Sequence, residues 1–298
     1  MTLAIGSRGS SLALWQAEWV RAELARAGAA AEIKVIKTSG DRFDSAPLAS
    51  SGKGVFVKEI EEALLASEID LAVHSLKDLP SDQPAGLVIE AIPERADARD
   101  ALVSRHGEKF LELPKGARIG TGSPRRRAQL KSVRPDLEFV SLRGNVETRI
   151  AKMDRGECDA IALAAAGLAR LNLLSQVAEF FPASVLCPAP GQGALAVECR
   201  QDNEAVAKLL APLDHPATRQ AVTAERALLR RLGGGCRVPI AAWARIESES
   251  LLLTGVVSSP DGKHILRSEA SAPHDEADSL GIRVAEDLLS RGAESLLR

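Results

Sequence analysis

Residues 58–78, KEIEEALLASEIDLAVHSLKD, decide the fold class of the first part of this 298-residue chain. Ile60, Ala63 and Leu64 recur at the spacing of one helix face, and the apolar run Ile69–Val73 follows as a strand. The same alternation of strand and helix precedes this stretch over residues 3–35, and another short strand follows it at residues 87–89. This βαβ pattern predicts a mainly parallel sheet.

The pattern starts again after the charged stretch Pro93–Asp100, which predicts a second, similar α/β unit. Its predicted elements are strands at 118–120, 137–140 and 160–163, with helices that begin at Pro124 and Val146. Pro188–Gly191 cannot continue a helix or a central strand, so we expect a hinge there. A smaller α+β unit follows, predicted from a helix over 221–232, hairpin strands at 251–257 and 264–266, and a helix over 277–289.

Composition excludes several classes of protein. Apolar residues make up 45% and charged residues 26% of the chain, which is incompatible with a wholly disordered or collagenous protein. The 38 basic and 40 acidic residues exclude a strongly basic nucleic-acid coat protein, and the 3% of aromatic residues disfavours base stacking. We therefore expect no nucleic-acid partner. Because neither a membrane-spanning apolar run nor a secretory signal is evident, we also expect no membrane partner and a cytoplasmic location.

Arginines cluster where predicted strands give way to helices. In GTGSPRRRAQL, residues 120–130, Arg125, Arg126 and Arg127 follow the N-cap Ser123 and Pro124. Basic side chains in a first turn oppose the helix dipole, so an anion is expected nearby. A solvated helix face is the alternative for this segment.

Four more arginines occupy similar junctions, namely Arg8, Arg143, Arg149 and Arg170. Each guanidinium can bind a carboxylate in bidentate fashion, so the set predicts a ligand with several carboxylates in a cleft between two α/β lobes. Phosphates would satisfy the same donors. The phosphate-loop and dinucleotide-binding motifs are absent, however, which makes a nucleotide the weaker interpretation.

HSLKDLP, residues 74–80, places Lys77 and Asp78 in a loop at the carboxyl end of a strand. The two residues could form a solvated ion pair. In a cleft crowded with arginines, Asp78 would instead be the acid that moves protons or stabilises a developing cation. SGKGVFVKE, residues 51–59, surrounds Lys53 and Phe56 with glycines, which is typical of a lid or of a plain surface loop.

LGGGCRVP, residues 232–239, ends a predicted helix at three glycines and leaves the Cys236 thiol accessible beside Arg237. This setting favours a reactive or covalently ligated thiol. The alternative is a small apolar residue, the usual role of a lone cysteine. The four cysteines lack CxxC spacing, so no metal site is predicted.

Together these motifs resemble the hydroxymethylbilane synthase (porphobilinogen deaminase) family. The resemblance rests on HSLKDLP, SGKGVFVKE, GTGSPRRRAQL, LRGNVETR, PAPGQGALAVE and LGGGCRVP at their present separations, from Arg8 to beyond Cys236. It implies an α/β fold with two domains similar to type II periplasmic binding proteins and a smaller α+β C-terminal domain. The implied boundaries are 1–95 with 193–212 for domain 1, 96–192 for domain 2 and 213–298 for domain 3.

The resemblance also implies an activity and a cofactor. Members of the family condense four porphobilinogens head to tail, release ammonia and free 1-hydroxymethylbilane by hydrolysis, a step of tetrapyrrole and haem biosynthesis. By family position, Cys236 carries a covalent dipyrromethane primer and Asp78 is the catalytic residue. The implied cofactor-binding residues are Cys236, Arg8, Ser10, Lys77, Asp78, Thr121, Ser123, Arg125, Arg126, Arg143, Arg149, Arg170, Gln192 and Gly193, and the implied lid residues are Lys53, Phe56 and Lys58.

The chain departs from the family pattern at Pro124, where leucine is usual, and at Ser51, which replaces the first glycine of the lid. Arg127 is an additional base beside the usual pair, and we expect it to face solvent. A monomer is expected. The rival interpretation is a non-catalytic two-lobed protein that binds a polycarboxylate or a phosphate, with Cys236 a free thiol and Asp78 paired with Lys77.

Overall fold

A computed structural model describes residues 2–39, 57–234 and 238–297 of the chain. Two compact units divide it, residues 1–96 with 194–219 and residues 97–193 with 220–298. The division into three domains stays a prediction. In the described ranges, no helix is long and apolar enough to cross a membrane.

The first unit is built on a five-stranded sheet. Its strands are β1 (Leu3–Ser7), β2 (Ala31–Val35), β3 (Leu71–Ser75), β4 (Leu87–Ala91) and β10 (Leu195–Arg200), in the order β2-β1-β3-β10-β4. Its helices in the described residues include α1 (Ser11–Arg26), α2 (Lys58–Leu65) and α6 (Glu204–Leu210). The strands and helices predicted between residues 3 and 89 are therefore confirmed, with ends that differ by one or two residues.

The prediction of a mainly parallel sheet is confirmed for strand direction, since β1, β2, β3 and β4 run the same way and β10 runs opposite to them. β1 runs parallel to β2 and β3, but β10 is antiparallel to both of its neighbours, β3 and β4. The difference arises because β10 lies more than 100 residues after β4 in the chain and does not join the sheet through a βαβ crossover. The apolar run that forms β10 was not predicted to be a strand.

Helices α1 and α2 cover opposite faces of this sheet. Val20 of α1 belongs to the same core cluster as Val73 of β3, whereas Ile60 of α2 belongs to the cluster of Ala72. Because successive side chains of a strand point to opposite faces, β3 contributes to both cores. Its apolar run is continuous for that reason.

The first sheet of the second unit repeats this plan. Its strands are β5 (Asp100–Ser104), β6 (Arg118–Gly120), β7 (Glu138–Val140), β8 (Ala160–Ala164) and β9 (Glu179–Phe180), in the order β7-β6-β8-β5-β9. The accompanying helices are α3 (Pro124–Val133), α4 (Val146–Asp154) and α5 (Ala165–Arg170). Parallel β6, β7 and β8 are joined by β5, which runs antiparallel to β8. The predicted second, similar α/β unit is thus confirmed.

The rest of the second unit contains a three-stranded antiparallel sheet. Its elements are β11 (Ile240–Glu247), β12 (Ser250–Ser258) and β13 (Ile265–Ala272), with α7 (Pro216–Arg231, which begins in the first unit), α8 (Ala277–Ser290) and α9 (Ala293–Leu296). The predicted hairpin is β12–β13, whereas β11 was not predicted. Helices α7 and α8 pack closely at Gly281, where a Cβ would lie 2.3 Å from the Ala224 carbonyl oxygen.

The edge strand β13 is covered by arginines that follow it in the chain. Arg283 of α8 donates to the Ser271 carbonyl oxygen at 2.7 Å. Arg291, just after α8, donates to the Arg267 carbonyl oxygen at 2.8 Å. Within the described residues β13 pairs only with β12, so these guanidinium groups occupy backbone acceptors at its unpaired side.

The predicted hinge, Pro188–Gly191, is irregular, as expected, and it is held in place within the second unit. The Pro188 carbonyl oxygen accepts a hydrogen bond from the Ala242 amide at 3.1 Å. The Gly191 amide donates to the buried carboxylate of Glu225 on α7 at 2.6 Å. Both bonds tie this segment to the part of the unit that holds the three-stranded sheet.

Candidate active site

The predicted site residues of the first unit follow the carboxyl ends of β1 and β3. These strands are parallel neighbours, so their ends lie at the same edge of the sheet. Arg8 follows β1 directly, and Ser10 caps α1 by accepting a hydrogen bond from the Ala13 amide at 3.3 Å. The turn that carries Lys77 and Asp78 follows β3.

The turn Leu76–Asp78 is anchored by its neighbours. The Leu76 amide donates to the Ala194 carbonyl oxygen at 3.0 Å, and Leu76 and Leu79 are buried on either side of the polar residues. The Ser75 hydroxyl accepts a hydrogen bond from the buried Gln16 amide at 2.9 Å. The turn therefore rests on apolar anchors, and the intervening Lys77 and Asp78 are half-buried.

The Asp78 carboxylate makes no hydrogen bond or ion pair with any residue that the structure describes. The predicted alternative of a Lys77–Asp78 pair is accordingly not found. A fixed carboxylate whose oxygens are not used by protein donors is able to bind a cationic or N–H group of a ligand. Lys58, predicted for the lid, is exposed and lies 3.7 Å from Glu62. The predicted lid residues Lys53 and Phe56 lie outside the described residues.

In the second unit, Arg125 and Arg126 converge on Asp100. The Arg125 Nη1 lies 2.7 Å from Asp100 Oδ2, and the Arg126 Nη2 lies 2.7 Å from Asp100 Oδ1. Arg125 also donates to the Cys187 carbonyl oxygen, and Arg126 to that of Ala162. The anion that the first turn of α3 requires is thus a carboxylate of the protein itself.

Burial would raise the pKa of Asp100, but Arg125 and then Arg126 lower it to about 2. The two arginines are 4% and 6% exposed, which leaves little of either guanidinium group on the surface. Asp100 binds both arginines in this structure. Their part in cofactor binding stays a prediction. Arg127 is exposed, as predicted.

The loop after β7 is shaped by a glycine. Gly144 has φ of +112°, and a Cβ there would lie 2.6 Å from Thr148 Cγ2. Asn145 then caps α4 by accepting the Thr148 amide at 2.8 Å, and Arg149 Nε donates to the Gly144 carbonyl oxygen at 2.8 Å. The LRGNVETR motif thereby places the half-buried Arg143 and Arg149 near one helix N-terminus.

Arg170 and Gln192 both make hydrogen bonds near the end of residues 97–193, the first of the two stretches that form the second unit. Arg170 Nη2 donates to the Gly193 carbonyl oxygen at 2.8 Å, and burial lowers the pKa of Arg170 to about 10. Gln192 donates from Nε2 to the Ala98 carbonyl oxygen at 2.7 Å and to Asp100 Oδ1 at 3.0 Å. Gln192 thus joins the cluster of Asp100 and the paired arginines.

In the second unit, the hydroxyls predicted to bind the cofactor accept hydrogen bonds from backbone amides. Thr121 Oγ1 accepts the Ser123 amide at 3.2 Å, and Ser123 caps α3 by accepting the Arg126 amide at 3.4 Å. Pro124 occupies the first helical position, as predicted. Cys236 lies outside the described residues.

Asp100 was missed by sequence reasoning. It was placed in a charged boundary stretch, although it directly precedes the apolar run Ala101–Val103. An acidic residue at the start of a buried strand needs a cationic partner, and the paired arginines of the next helix supply it. That combination is the signal that could have identified the cluster.

Among solved structures, the chain matches a periplasmic binding protein of Salmonella typhimurium with high arginine specificity. It is 14% identical with a TM-score of 0.39, and the match covers 71% of this chain and 91% of that one. A YaeC-family lipoprotein of Enterococcus faecalis is 15% identical with a TM-score of 0.42, over 71% of this chain and 90% of that one.

Sequence relatives are much closer. Porphobilinogen deaminase of Geotalea uraniireducens is 53% identical over 299 aligned residues, which cover 99% of this chain and 94% of the relative. The same enzyme of Pelobacter propionicus is 53% identical over 99% of this chain and 96% of the relative. The non-catalytic binding protein is not favoured by these matches.

Two family profiles match the chain. Residues 3–208 match the dipyromethane cofactor binding domain of porphobilinogen deaminase, and residues 219–290 match its C-terminal domain. This chain therefore belongs to the porphobilinogen deaminase family, transferases that polymerise porphobilinogen for tetrapyrrole synthesis with a dipyrromethane cofactor.

Proposed function

We propose that Asp78 is the catalytic residue with which this chain joins four porphobilinogens head to tail, releases ammonia and frees 1-hydroxymethylbilane by hydrolysis. The observation that supports this role is the position of the carboxylate. Asp78 ends a turn anchored by Leu76, and no described residue binds its oxygens. A preorganised carboxylate of this kind can act on a group that becomes positively charged.

Loss of ammonia from porphobilinogen leaves an electron-poor azafulvene whose positive charge is shared with the pyrrole N–H. The Asp78 carboxylate accepts a hydrogen bond from that N–H and stabilises the charge. When the free α-carbon of the terminal ring of the growing chain attacks the azafulvene methylene, Asp78 Oδ takes up the proton that this carbon releases. One carboxylate thus stabilises the cation and then serves as the base.

The arginines fit a cofactor that carries several carboxylates. Arg8, Arg143, Arg149 and Arg170 each lie in or next to a segment that follows the carboxyl end of a parallel strand. They would bind acetate and propionate groups, together with Ser10, Lys77, Thr121, Ser123 and Gly193. Arg125 and Arg126, which are ion-paired with Asp100, would belong to the same binding set, as would Gln192. When bound through Cys236, the dipyrromethane supplies the pyrrole carbon to which the first substrate is joined.

We also propose three domains, residues 1–95 with 193–212, residues 96–192 and residues 213–298. The three separate sheets, each with core clusters of its own, support this division. Lys53, Phe56 and Lys58 would belong to a lid, and the protein would act as a cytoplasmic monomer. The buried, unpaired thiols of Cys158, Cys187 and Cys199 are in keeping with a reducing compartment.

Intact mass and turnover test these roles together. The purified chain should exceed its sequence mass by two linked pyrrole units and should colour with an aldehyde reagent for pyrroles. Asp78→Asn should retain the adduct and lose turnover by about 10² to 10³-fold, because one electrostatic partner of the reacting group is removed. Cys236→Ser should lack the adduct. Turnover of Asp78→Asn near that of the wild type contradicts the role of Asp78, and an adduct on Cys236→Ser contradicts that of Cys236.

A further inference from the structure

Three titratable side chains are buried together in the first unit, outside the set of proposed site residues. His74 of β3, Glu198 of β10 and Glu61 of α2 are each less than a tenth exposed. His74 Nε2 lies 3.1 Å from Glu198 Oε2. The second carboxylate oxygen of Glu198 and one oxygen of Glu61 are buried without a hydrogen-bond partner among the described residues.

The alternation of the strands explains why these side chains meet. Val73 and Val197 are directly paired across β3 and β10, and both belong to the core on the α1 side. The next residues along the two strands, His74 and Glu198, therefore face α2. Glu61 lies on that helix. Burial raises the pKa of Glu61, and the charge of Glu198 raises it further.

Stability does not account for this cluster. Burying a paired histidine and carboxylate costs desolvation free energy, and an apolar pair of similar volume is often as stable or more so. Buried polar atoms without partners add to that cost. The other charged group on this face of β10, Arg200, donates to the Leu64 and Ile69 carbonyl oxygens. The His74–Glu198 pair thus calls for another explanation.

The location of the pair supplies one. His74 lies on the strand that leads into the turn carrying Asp78, four residues before that carboxylate. The backbone of His74 pairs with Ala196, and the turn itself is held by the Ala194 carbonyl oxygen. A side-chain link from His74 to Glu198 fixes β3 against β10 immediately before the turn. Catalytic rates are sensitive to displacements of about 1 Å.

We propose that His74 and Glu198 are positioning residues for Asp78. Their hydrogen bond holds the carboxyl end of β3 against β10 and so sets where the Asp78 carboxylate lies. Glu61 closes this cluster from the side of α2. The inference rests on the catalytic role proposed above for Asp78.

Variants of the pair test the proposal. His74→Leu should lower kcat about tenfold with KM within about twofold, while intact mass shows the cofactor still attached. His74→Gln should retain most of kcat, because its amide nitrogen can donate to Glu198 where Nε2 does. In the double variant His74→Leu/Glu198→Leu, neither member of the pair is left buried without the other, so resistance to urea should recover while kcat stays low.

A pair that only supports the fold gives a different result. In that case both kcat and resistance to urea return to the wild-type values in the double variant, and this result overturns the proposal. If the double variant does not fold, the two single variants decide, and equal kcat for folded His74→Leu and His74→Gln overturns it as well. Glu68→Gln, which changes an exposed carboxylate six residues before His74, should leave kcat unchanged.

Asp78→Asn, measured alongside, separates this proposal from the one on which it rests. An active Asp78→Asn enzyme refutes the catalytic role of Asp78. An inactive Asp78→Asn enzyme together with a fully active double variant retains that role and refutes the positioning role of His74 and Glu198.

Discussion

Arg126 binds a single oxygen of Asp100 with two nitrogens, Nε at 2.8 Å and Nη2 at 2.7 Å, in the interior of the second unit. Arg125 binds the same carboxylate from the preceding position of the helix. Consecutive side chains of a helix do not normally share one partner, since they point about 100° apart. Here Asp100 lies close enough to the first turn of α3 for both to reach it.

Loss of this carboxylate should destabilise the fold severely. Asp100→Asn leaves two buried guanidinium groups without a counter-charge, which costs about 3–5 kcal/mol when one partner of a buried pair is removed. Urea unfolding at pH 7 should show a loss of that size. Asp97→Asn, which removes an exposed partner of Arg99, should cost no more than about 1 kcal/mol. Equal losses in the two variants would contradict a structural role for Asp100.

The same carboxylate predicts a pH dependence. The pKa of Asp100 is about 2 in the folded chain against an ordinary 3.8, so the ionised form stabilises the fold by about 2 kcal/mol above pH 4 or so. This contribution is lost as pH falls through about 2. The stability difference between wild type and Asp100→Asn should therefore narrow by about 1.5 kcal/mol between pH 6 and 2.5. A constant difference across that range would refute the assigned pKa.

Gly144 offers a test of the loop that carries Arg143 and Arg149. Gly144→Ala must adopt a positive φ and also places a Cβ against Thr148, so it should destabilise the chain by about 1–3 kcal/mol. Gly116→Ala also has a positive φ but meets no atom within 4 Å, so its loss should be smaller. Thermal unfolding of both variants measures the difference. A larger loss for Gly116→Ala would contradict this account.

The buried thiols should resist alkylation in the native chain. Burial raises the pKa of Cys187 to about 12 and that of Cys199 to about 11, and Cys158 is shifted in the same direction. At pH 8, Cys236→Ser should therefore take up almost no iodoacetamide within minutes when folded. In urea all the remaining cysteines should react. Rapid modification of the folded variant at any of them would contradict their burial.

The sequence predicted the units that follow local rules and missed those that depend on distant segments. The helix with Ile60 and Leu64 and the hairpin of β12 and β13 have periodicity or turn signals within a few residues. The antiparallel strand β10 is an apolar run after a segment rich in proline and glycine, but its neighbours in the sheet come from residues 71–91. The place of β10 in the sheet depends on pairing with strands that are distant in the sequence, which a local pattern does not encode.

The features of the candidate site also fall into those that local sequence predicts and those that depend on distant residues. The position of Asp78 in the turn after β3 could be predicted because its motif lies at the end of a recognisable strand. For Arg125 and Arg126, sequence reasoning found that an anion was required but not that Asp100 supplies it, since nothing local joins residue 100 to residue 125. The link between His74 and Glu198 spans 124 positions and was not predicted for the same reason.

The coverage of β13 by Arg283 and Arg291 has a consequence for the behaviour of the protein in concentrated solution. A bare strand edge offers a row of backbone groups to which any extended polypeptide can add, and such addition starts aggregation. Two of the acceptors in that row are already bound by side chains of the same molecule. The C-terminal sheet can therefore remain small and open-edged without recruiting other polypeptides.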